Sequence, residues 1–251
     1  MAADDRDFTG DHGAEGAEDV TVDRVVNIAI EQFSQRGFSE TKLDAISRAS
    51  GMSKRMIHYH FGDKQGLYQQ ALGAAARRLS PEPESMEVSS AVPVEGVRKL
   101  VDIIYAQYVA HPEAIRLLTQ ESVIRSLESS SQSSVADLSG LSLHLDKLLM
   151  VGQDAGAFRP GISANDVFTI IAALAIYRTT NHDMMDNLLG IDMTNEVNTE
   201  GMHRLVVDTV LAFLTSNIPD SGQESYLVAH STDDESEAPS DIYDSESGIY
   251  D

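Results

Sequence analysis

The chain has 251 residues, no Cys and a formal net charge of −22, which excludes disulfides, thiolate metal sites and cysteine nucleophiles and leaves room for one or two apolar cores without covalent staples. So strong an acidity argues against a nucleic-acid partner, but residues 1–20 alone hold seven acids and one base, and residues 219–251 hold ten acids with no Lys or Arg. Between these ends, residues 21–79 carry nine Lys and Arg against five Asp and Glu, and residues 80–218 carry eight against eighteen, so a basic module precedes an acidic one.

Residues 1–20 are charge-rich and aperiodic, and they are expected to stay disordered because they bury too little apolar area to offset their ordering entropy. They also lack the apolar run of a signal peptide. Val22, Val25, Val26, Ala29 and Phe33 then recur at i, i+3, i+4 spacing, predicting a first helix with Thr21 as its N-cap and Gly37 as its left-handed stop. Thr41 followed by Asp44 has the form of a capping box and opens a short second helix, with Leu43, Ile46 and Ala49 on one face and Gly51 at its end. Ser53 caps a third helix from Lys54 to His60, and Asp63 caps a fourth from Lys64 to about Leu79. Residues 80–93 combine three Pro with Ser and Glu, which breaks any helix and marks a linker, so the domain boundary is expected near residue 85.

After the linker, helices are expected at about 94–110, 113–128, 134–155, 163–189 and 201–216, with residues 218–251 as a second disordered, acidic segment. No alternating β-branched run appears, so the fold class is all-α: an N-terminal three-helix helix-turn-helix domain over 21–79 and a C-terminal helical ligand-binding and dimerisation domain over 94–217. No stretch offers the roughly 20 uninterrupted apolar residues of a membrane span, and a soluble, cytoplasmic protein with no membrane partner is expected. The segment VFTIIAALAIY, Val167 to Tyr177, is apolar on every side and must be covered all round. The last helix carries Met202, Leu205, Val206, Val210 and Phe213 as one stripe. Ile170 and Leu174 with Leu205, Val206, Val210 and Phe213 are therefore the expected faces of an intersubunit four-helix bundle in a homodimer; the alternative is that both helices lie in the core of one subunit.

A short helix, a tight Gly-containing turn and a second short helix have the spacing that lays the second helix in the major groove of double-stranded DNA. Periodicity turns Ile57 and Phe61 inward and leaves Lys54, Arg55, His58 and Tyr59 outward. Lys42, Lys54 with Arg55, and Lys64 all sit in the first turns of successive helices, where the macrodipole disfavours cations. A phosphate backbone gives them a common reason; solvated surface charge is the other reading.

The run from Ala29 to Tyr68, AIEQFSQRGFSETKLDAISRASGMSKRMIHYHFGDKQGLY, resembles the N-terminal DNA-binding domain of tetracycline-repressor-type (TetR) regulators. The resemblance is carried by Phe-x(3)-Gly-Phe at the end of helix 1, the Gly-Met-Ser turn, and Tyr-His-Phe followed by a Lys. It implies a homodimeric repressor released from a palindromic operator by a small-molecule inducer bound in the C-terminal half. It further implies phosphate contacts at Thr41, Ser53, Tyr59, His60 and Lys64 and base-reading positions at Lys54, Arg55 and His58. Arg55 and His58 stand where the family commonly has Gly and Tyr, so no relative's operator sequence transfers. Residues 94–217 resemble the family only in helix count and in the dimer-helix pair.

For the inducer, polar side chains that periodicity places on apolar faces are the candidates, because a pocket is mostly apolar with a few placed polar groups. His144 lies in line with Leu141 and Leu148; Arg178 and Asn181 extend the stripe of Ile170, Leu174 and Tyr177; Glu121 and Arg125 flank Leu117, Leu118 and Ile124; Tyr105 and Tyr108 offer aromatic walls. Each has the alternative of a paired core or interface residue. As a set they suit an oxygen-bearing ligand such as an aromatic acid or phenol. There is no Gly-rich phosphate loop and no Ser nucleophile elbow, and His182 with Asp186 is half a metal site at most, so no enzymatic activity, metal or cofactor is expected. The repeated Ile-Tyr-Asp unit at 242–244 and 249–251 reads as part of a solubilising tail or as a short partner-binding motif. Two other functions stay open: an interaction protein with a vestigial helix-turn-helix, and a small-molecule carrier or enzyme using the C-terminal half.

Overall fold

Apolar residues at helical spacing and Gly at the breaks divide the first third of the chain into four helices: α1 Gly13–Glu40, α2 Leu43–Ser50, α3 Lys54–Phe61 and α4 Lys64–Leu79. These come from a computed structural model of the chain, which describes residues 13–86, 92–127, 139–219, 222 and 225–227. A one-turn α5 Pro83–Met86 follows, then α6 Pro93–Ala110, α7 Pro112–Ile124, α8 Ser139–Asp154, α9 Ala164–Thr180, α10 His182–Leu189 and α11 Glu196–Thr215. Among the described residues the secondary structure is entirely helical.

The helix starts and stops follow local chemistry, and several depart from expectation: α7 ends at Ile124 and not near residue 128, and α11 starts at Glu196 behind its Asn195 cap and not near residue 201. α1 begins at Gly13, not at Thr21; Ala14, Glu15, Ala17 and Glu18 are strong helix formers, and acids suit a helix N-terminus. Gly37 does break it, at φ 77 and ψ 170, a region essentially reserved for Gly. The linker is not featureless, because Met86 at the end of α5 is buried in the C-terminal core and Pro93 starts α6 as an N1-type proline. Finally, the helix expected over 163–189 is two. Thr179 and Thr180 turn their hydroxyls back onto the carbonyls of Ala175 and Ile176, a habit that bends helices, and Asn181 (φ −118) separates α9 from α10.

Two apolar clusters hold the molecule. One joins α6, α8, α9 and α11 around Ile104, Leu145, Val167, Ile171, Val206, Val210 and Leu214. The other joins α1 to α4 around Phe33, Ile46, Ile57, Leu67 and Tyr68, and it also takes in Ala114 and Leu117 of α7 and Leu127 just beyond it. The core of the N-terminal module thus does not close at residue 79: α7 packs against both α1 and α4.

The C-terminal segment also departs from expectation, since Ser225–Leu227 dock on the N-terminus of α9. Ser163 and Asp166 form a capping box there. The buried Asp166 carboxylate then accepts the Ser225 hydroxyl at 3.0 Å, Tyr226 N–H at 3.2 Å and Leu227 N–H at 2.9 Å. Arg159 donates to the Tyr226 hydroxyl and lies over the Phe213 ring, 4.6 Å from its centroid. The Ile-Tyr-Asp repeats lie outside the described residues. Burial alone would raise the Asp166 pKa, but hydrogen bonds from Ser163, Tyr226 and Ser225 outweigh it and hold the carboxyl below its ordinary range.

A carboxyl whose pKa is lowered by folding contributes stability above its unfolded pKa and loses it as the pH falls through the folded value. Asp166→Asn is therefore expected to lower the Tm at pH 7 by several degrees, on the order of 1–2 kcal/mol, and the deficit should shrink as the pH falls below about 4, where the carboxyl of the unfolded chain takes up its proton before the folded one does. Truncation after Ile218 should produce a smaller loss of the same kind. Thermal melts of both variants at pH 7 and pH 3.5 check this, and an unchanged melt at pH 7 would contradict a docked segment.

Candidate nucleic-acid interface and effector site

The turn between α2 and α3 is built from short polar side chains. Gly51 ends α2 at φ 81 in the left-handed region, the Ser47 hydroxyl donates to Met52 O at 2.7 Å, and Ser50 Oγ accepts Met52 N–H at 3.2 Å. Ser53 caps α3 by accepting Met56 N–H, which leaves its own O–H available. Ile57 is fully buried, and this sets the rotation of α3: Lys54, Arg55, His58 and Tyr59 all face solvent, Tyr59 with 78% of its surface exposed. The side of α3 opposite the core is thus a projecting polar and aromatic ridge.

The individual roles expected from the sequence divide. Thr41 is not a cap and does not face outward; it is 1% exposed, its hydroxyl donates to Gly37 O at 2.8 Å and lies 3.2 Å from Gln32 O, and Lys42 takes the N-cap position of α2. That hydroxyl closes the broken end of α1 and is withdrawn from phosphate. Lys64 has a local reason for its place: its ammonium donates to Ser39 O at 3.1 Å and sits 4.7 Å from the centroid of the Phe38 ring, and desolvation lowers its pKa. A cation there serves the carboxyl end of α1. Lys54 is paired with Asp44 at 2.5 Å, and this hydrogen bond lowers the Asp44 pKa. Both groups are half exposed or more, so the pair is readily exchanged for another partner. His60 is half-buried with its Nε2 lacking a partner, and His58 Nδ1 meets Gly62 O at 2.7 Å. Between residues 41 and 61, Lys42, Arg48 and Arg55 are exposed cations that make no ion pair among the described residues.

In the C-terminal half, two of the seven candidate ligand residues come together. Arg178 donates to Thr199 Oγ1 at 2.7 Å, and Tyr105 donates to Thr199 O at 3.2 Å and stacks on His203 with ring centroids 5.2 Å apart. His203 in turn pairs with Asp102 at 2.7 Å. Arg178 has no acidic partner among the described residues, and its Nε is buried and unpartnered. Burial raises the Tyr105 pKa, and the nearby Arg178 opposes that shift. Tyr108, one turn on, is buried and its phenol is pushed up to about 12.

The other four are elsewhere. Glu121 is buried in the head's junction with α7, accepting the Tyr68 hydroxyl at 2.9 Å and the N–H groups of Ser126 and Leu127. Arg125 is exposed and ends α7 at φ 51. Asn181 terminates α9, and His144 stands beside the buried stripe of Leu141, Leu145 and Leu149, not on it. Thr199, His203 and Asp102 were missed because their relation spans about a hundred residues with no local signal. A cleft of about 50 Å³ opens between α8 and α9, lined by Leu141, Leu145, Ala164 and Phe168, well below the several hundred Å³ of an ordinary ligand site.

The candidate dimer residues also divide. Val206 and Val210 are fully buried inside the subunit, because α11 packs on α6 and α9. Leu205 is 50% exposed, and Ile170, Leu174 and Phe213 are partly buried against the same core. Between them, Thr169, Ala173 and Tyr177 on α9 and Leu205, Asp208 and Ala212 on α11 face outward.

Two family profiles match this architecture: "Bacterial regulatory proteins, tetR family" over residues 25–71, and "Tetracyclin repressor-like, C-terminal domain" over residues 93–210. The chain belongs to the TetR family of transcriptional regulators. It is 27% identical over 179 residues to the HTH-type transcriptional repressor NicS of Pseudomonas putida, covering 71% of this chain and 84% of that one. It is 23% identical over 176 residues to the repressor SCO4008 of Streptomyces coelicolor, covering 68% and 85%. Among solved structures, a TetR family regulator from Marinobacter aquaeolei superposes with a TM-score of 0.60 at 14% identity, over 80% of this chain and 98% of that one. PfmR from Thermus thermophilus, also of this family, gives 0.55 at 20%, over 75% and 97%. The TetR chain is accordingly a DNA-binding regulator, and none of its described helices is long and apolar enough to cross a membrane.

The geometry separates two lysines that the sequence treats alike. Lys42→Ala is expected to leave the Tm unchanged and to flatten the salt dependence of DNA binding by about 0.9 in log–log slope for each phosphate that is no longer neutralised. Lys64→Ala should instead lower stability by about 1 kcal/mol, because the ammonium no longer meets the Phe38 ring and the Ser39 carbonyl. Equal slopes for wild type and Lys42→Ala in binding isotherms between 50 and 300 mM salt would remove Lys42 from the interface.

Proposed function

We propose that this protein is a homodimeric repressor that leaves a palindromic operator when a small oxygen-bearing anion binds its C-terminal half, and that it carries no catalytic activity. The observation that carries the reading is the position of α7. One face of it lies in the core of the reading head, and its buried Glu121 is tied to Tyr68 of α4. Gln120 donates to Ser34 O of α1, and Arg78 of α4 pairs with Glu113 at 3.0 Å. A displacement of α7 is therefore passed to α4 and α1 through packed and hydrogen-bonded groups and not through a loose tether.

Dimerisation is assigned to the outward faces of α9 and α11, where small residues at Ala173 and Ala212 permit close approach and Tyr177, Leu205, Ile170 and Leu174 supply apolar area. In such a dimer the two α3 ridges must lie about 34–36 Å apart, or a multiple of it, to enter successive grooves. A ligand releases DNA only by favouring a conformation in which that spacing is wrong. Arg178 is the residue assigned to the ligand: an unpaired guanidinium with a buried Nε is costly without an anion, and Tyr105 stands beside it through Thr199. An aromatic carboxylate matches that pair of groups.

Footprinting on the DNA upstream of its own gene should reveal a palindromic protected site. Benzoate and substituted benzoates are then titrated against the complex. Arg178→Ala is expected to bind the operator within a few-fold of wild type and to lose release by carboxylates that release the wild type. Release of Arg178→Ala at wild-type concentrations would take Arg178 out of the effector site.

A further inference from the structure

The end of α3 fixes the chemistry of one groove-facing side chain. Gly62 has φ 77 and ψ −71, the centre of a three-residue γ-turn closed by Asp63 N–H onto Phe61 O at 3.0 Å. The positive φ favours Gly, and the turn swings the Gly62 carbonyl back over the last turn of α3 while its N–H still donates to His58 O at 2.9 Å. That carbonyl meets His58 Nδ1 at 2.7 Å. A carbonyl oxygen only accepts, so the hydrogen sits on Nδ1. In the neutral ring Nε2 is then left with a lone pair and no hydrogen, and it has no partner among the described residues.

We propose that His58 is a base-discriminating residue whose Nε2, held as a hydrogen-bond acceptor by the Nδ1–Gly62 bond, selects a base with an exocyclic amino group, cytosine or adenine, on the strand it faces. In the major groove only cytosine N4 and adenine N6 donate; guanine and thymine present acceptors. The neighbours on the ridge have the opposite preference. Lys54 and Arg55 are donors only and read the acceptor edge of guanine, so α3 carries a donor pair and, one turn on, an acceptor. A histidine whose Nε2 carried the hydrogen would instead donate to guanine N7 or O6, thymine O4 or adenine N7, and would reject cytosine. The inference rests on the reading of α3 as the groove-entering helix.

The test is selection of bound sequences from a random duplex library by the full-length protein, by His58→Ala and by His58→Lys, at pH 8.5, where histidine side chains are ordinarily neutral. Wild type is expected to enrich a motif in which one column holds adenine or cytosine over guanine and thymine by roughly five- to tenfold. His58→Ala should flatten that column alone to within about twofold, and His58→Lys should convert it to guanine. A measurement on unmodified protein guards against a folding defect in the variants. Replacing the selected adenine by purine, or the cytosine by 2-pyrimidinone, deletes only the amino group and should weaken wild-type binding by the same factor. A guanine column in wild type, a column that survives His58→Ala, or no loss with the amino-deleted base would each overturn the assignment of His58 while leaving DNA binding intact. No enriched motif from any of the three proteins would instead overturn the placement of α3 in the groove.

Discussion

The placement of the N-terminal head on the rest of the molecule depends on one shared apolar core, in which α7 is gripped by α1 and α4. Phe33, Leu67 and Tyr68 are fully buried there with Ala114 and Leu117. The Tyr68 hydroxyl, which burial and the Glu121 carboxylate together make harder to ionise, reaches across to that carboxylate. A buried carboxylate is costly unless its oxygens are fully engaged, and Glu121 meets that condition with three donors from Tyr68, Ser126 and Leu127. The arrangement makes the orientation of the head a property of the C-terminal half, which a reading head on a flexible linker would lack.

Electrostatics divides in the same way. The acidic excess lies at the two ends and in the second half, and the positive groups near α3 are partly held in reserve: Lys54 by Asp44, Lys64 by the carboxyl end of α1. Exposed pairs of this kind are worth little in water, so exchanging Asp44 for a phosphate or a base edge costs little. The Ser225–Leu227 segment docks on the N-terminus of α9 through the Asp166 carboxylate, at the cluster built by α6, α8, α9 and α11.

Much of the head was legible because its determinants are local. Ser53, Asp63, Gly51 and Gly37 act within four residues of themselves, and Ile57 alone sets which side of α3 faces out. Thr41 misled because Thr-x-x-Asp is equally the signature of a cap, and the neighbouring Lys42 can occupy that position once the Thr hydroxyl serves the broken end of α1. The C-terminal half was legible as helices but not as a site. Periodicity places Arg178 and Tyr105 on inward faces, yet their meeting at Thr199 depends on how α6, α9 and α11 pack, and Glu121 looked like a pocket residue only because the partner that explains it, Tyr68, lies 53 residues away. Val206 and Val210 show the same limit: a stripe on a helix says that something covers it, not whether the cover is the same subunit.

The central claim is that α4 and α7 behave as one unit across the boundary between the N-terminal head and the C-terminal half. Native-state hydrogen exchange of wild type and Tyr68→Phe tests it directly, because amides in one cooperative unit share an opening free energy. Removing the Tyr68 hydroxyl is predicted to lower protection in α4 and α7 by the same amount, about 1–2 kcal/mol. A loss confined to α4, with α7 exchanging as in the wild type, would contradict it.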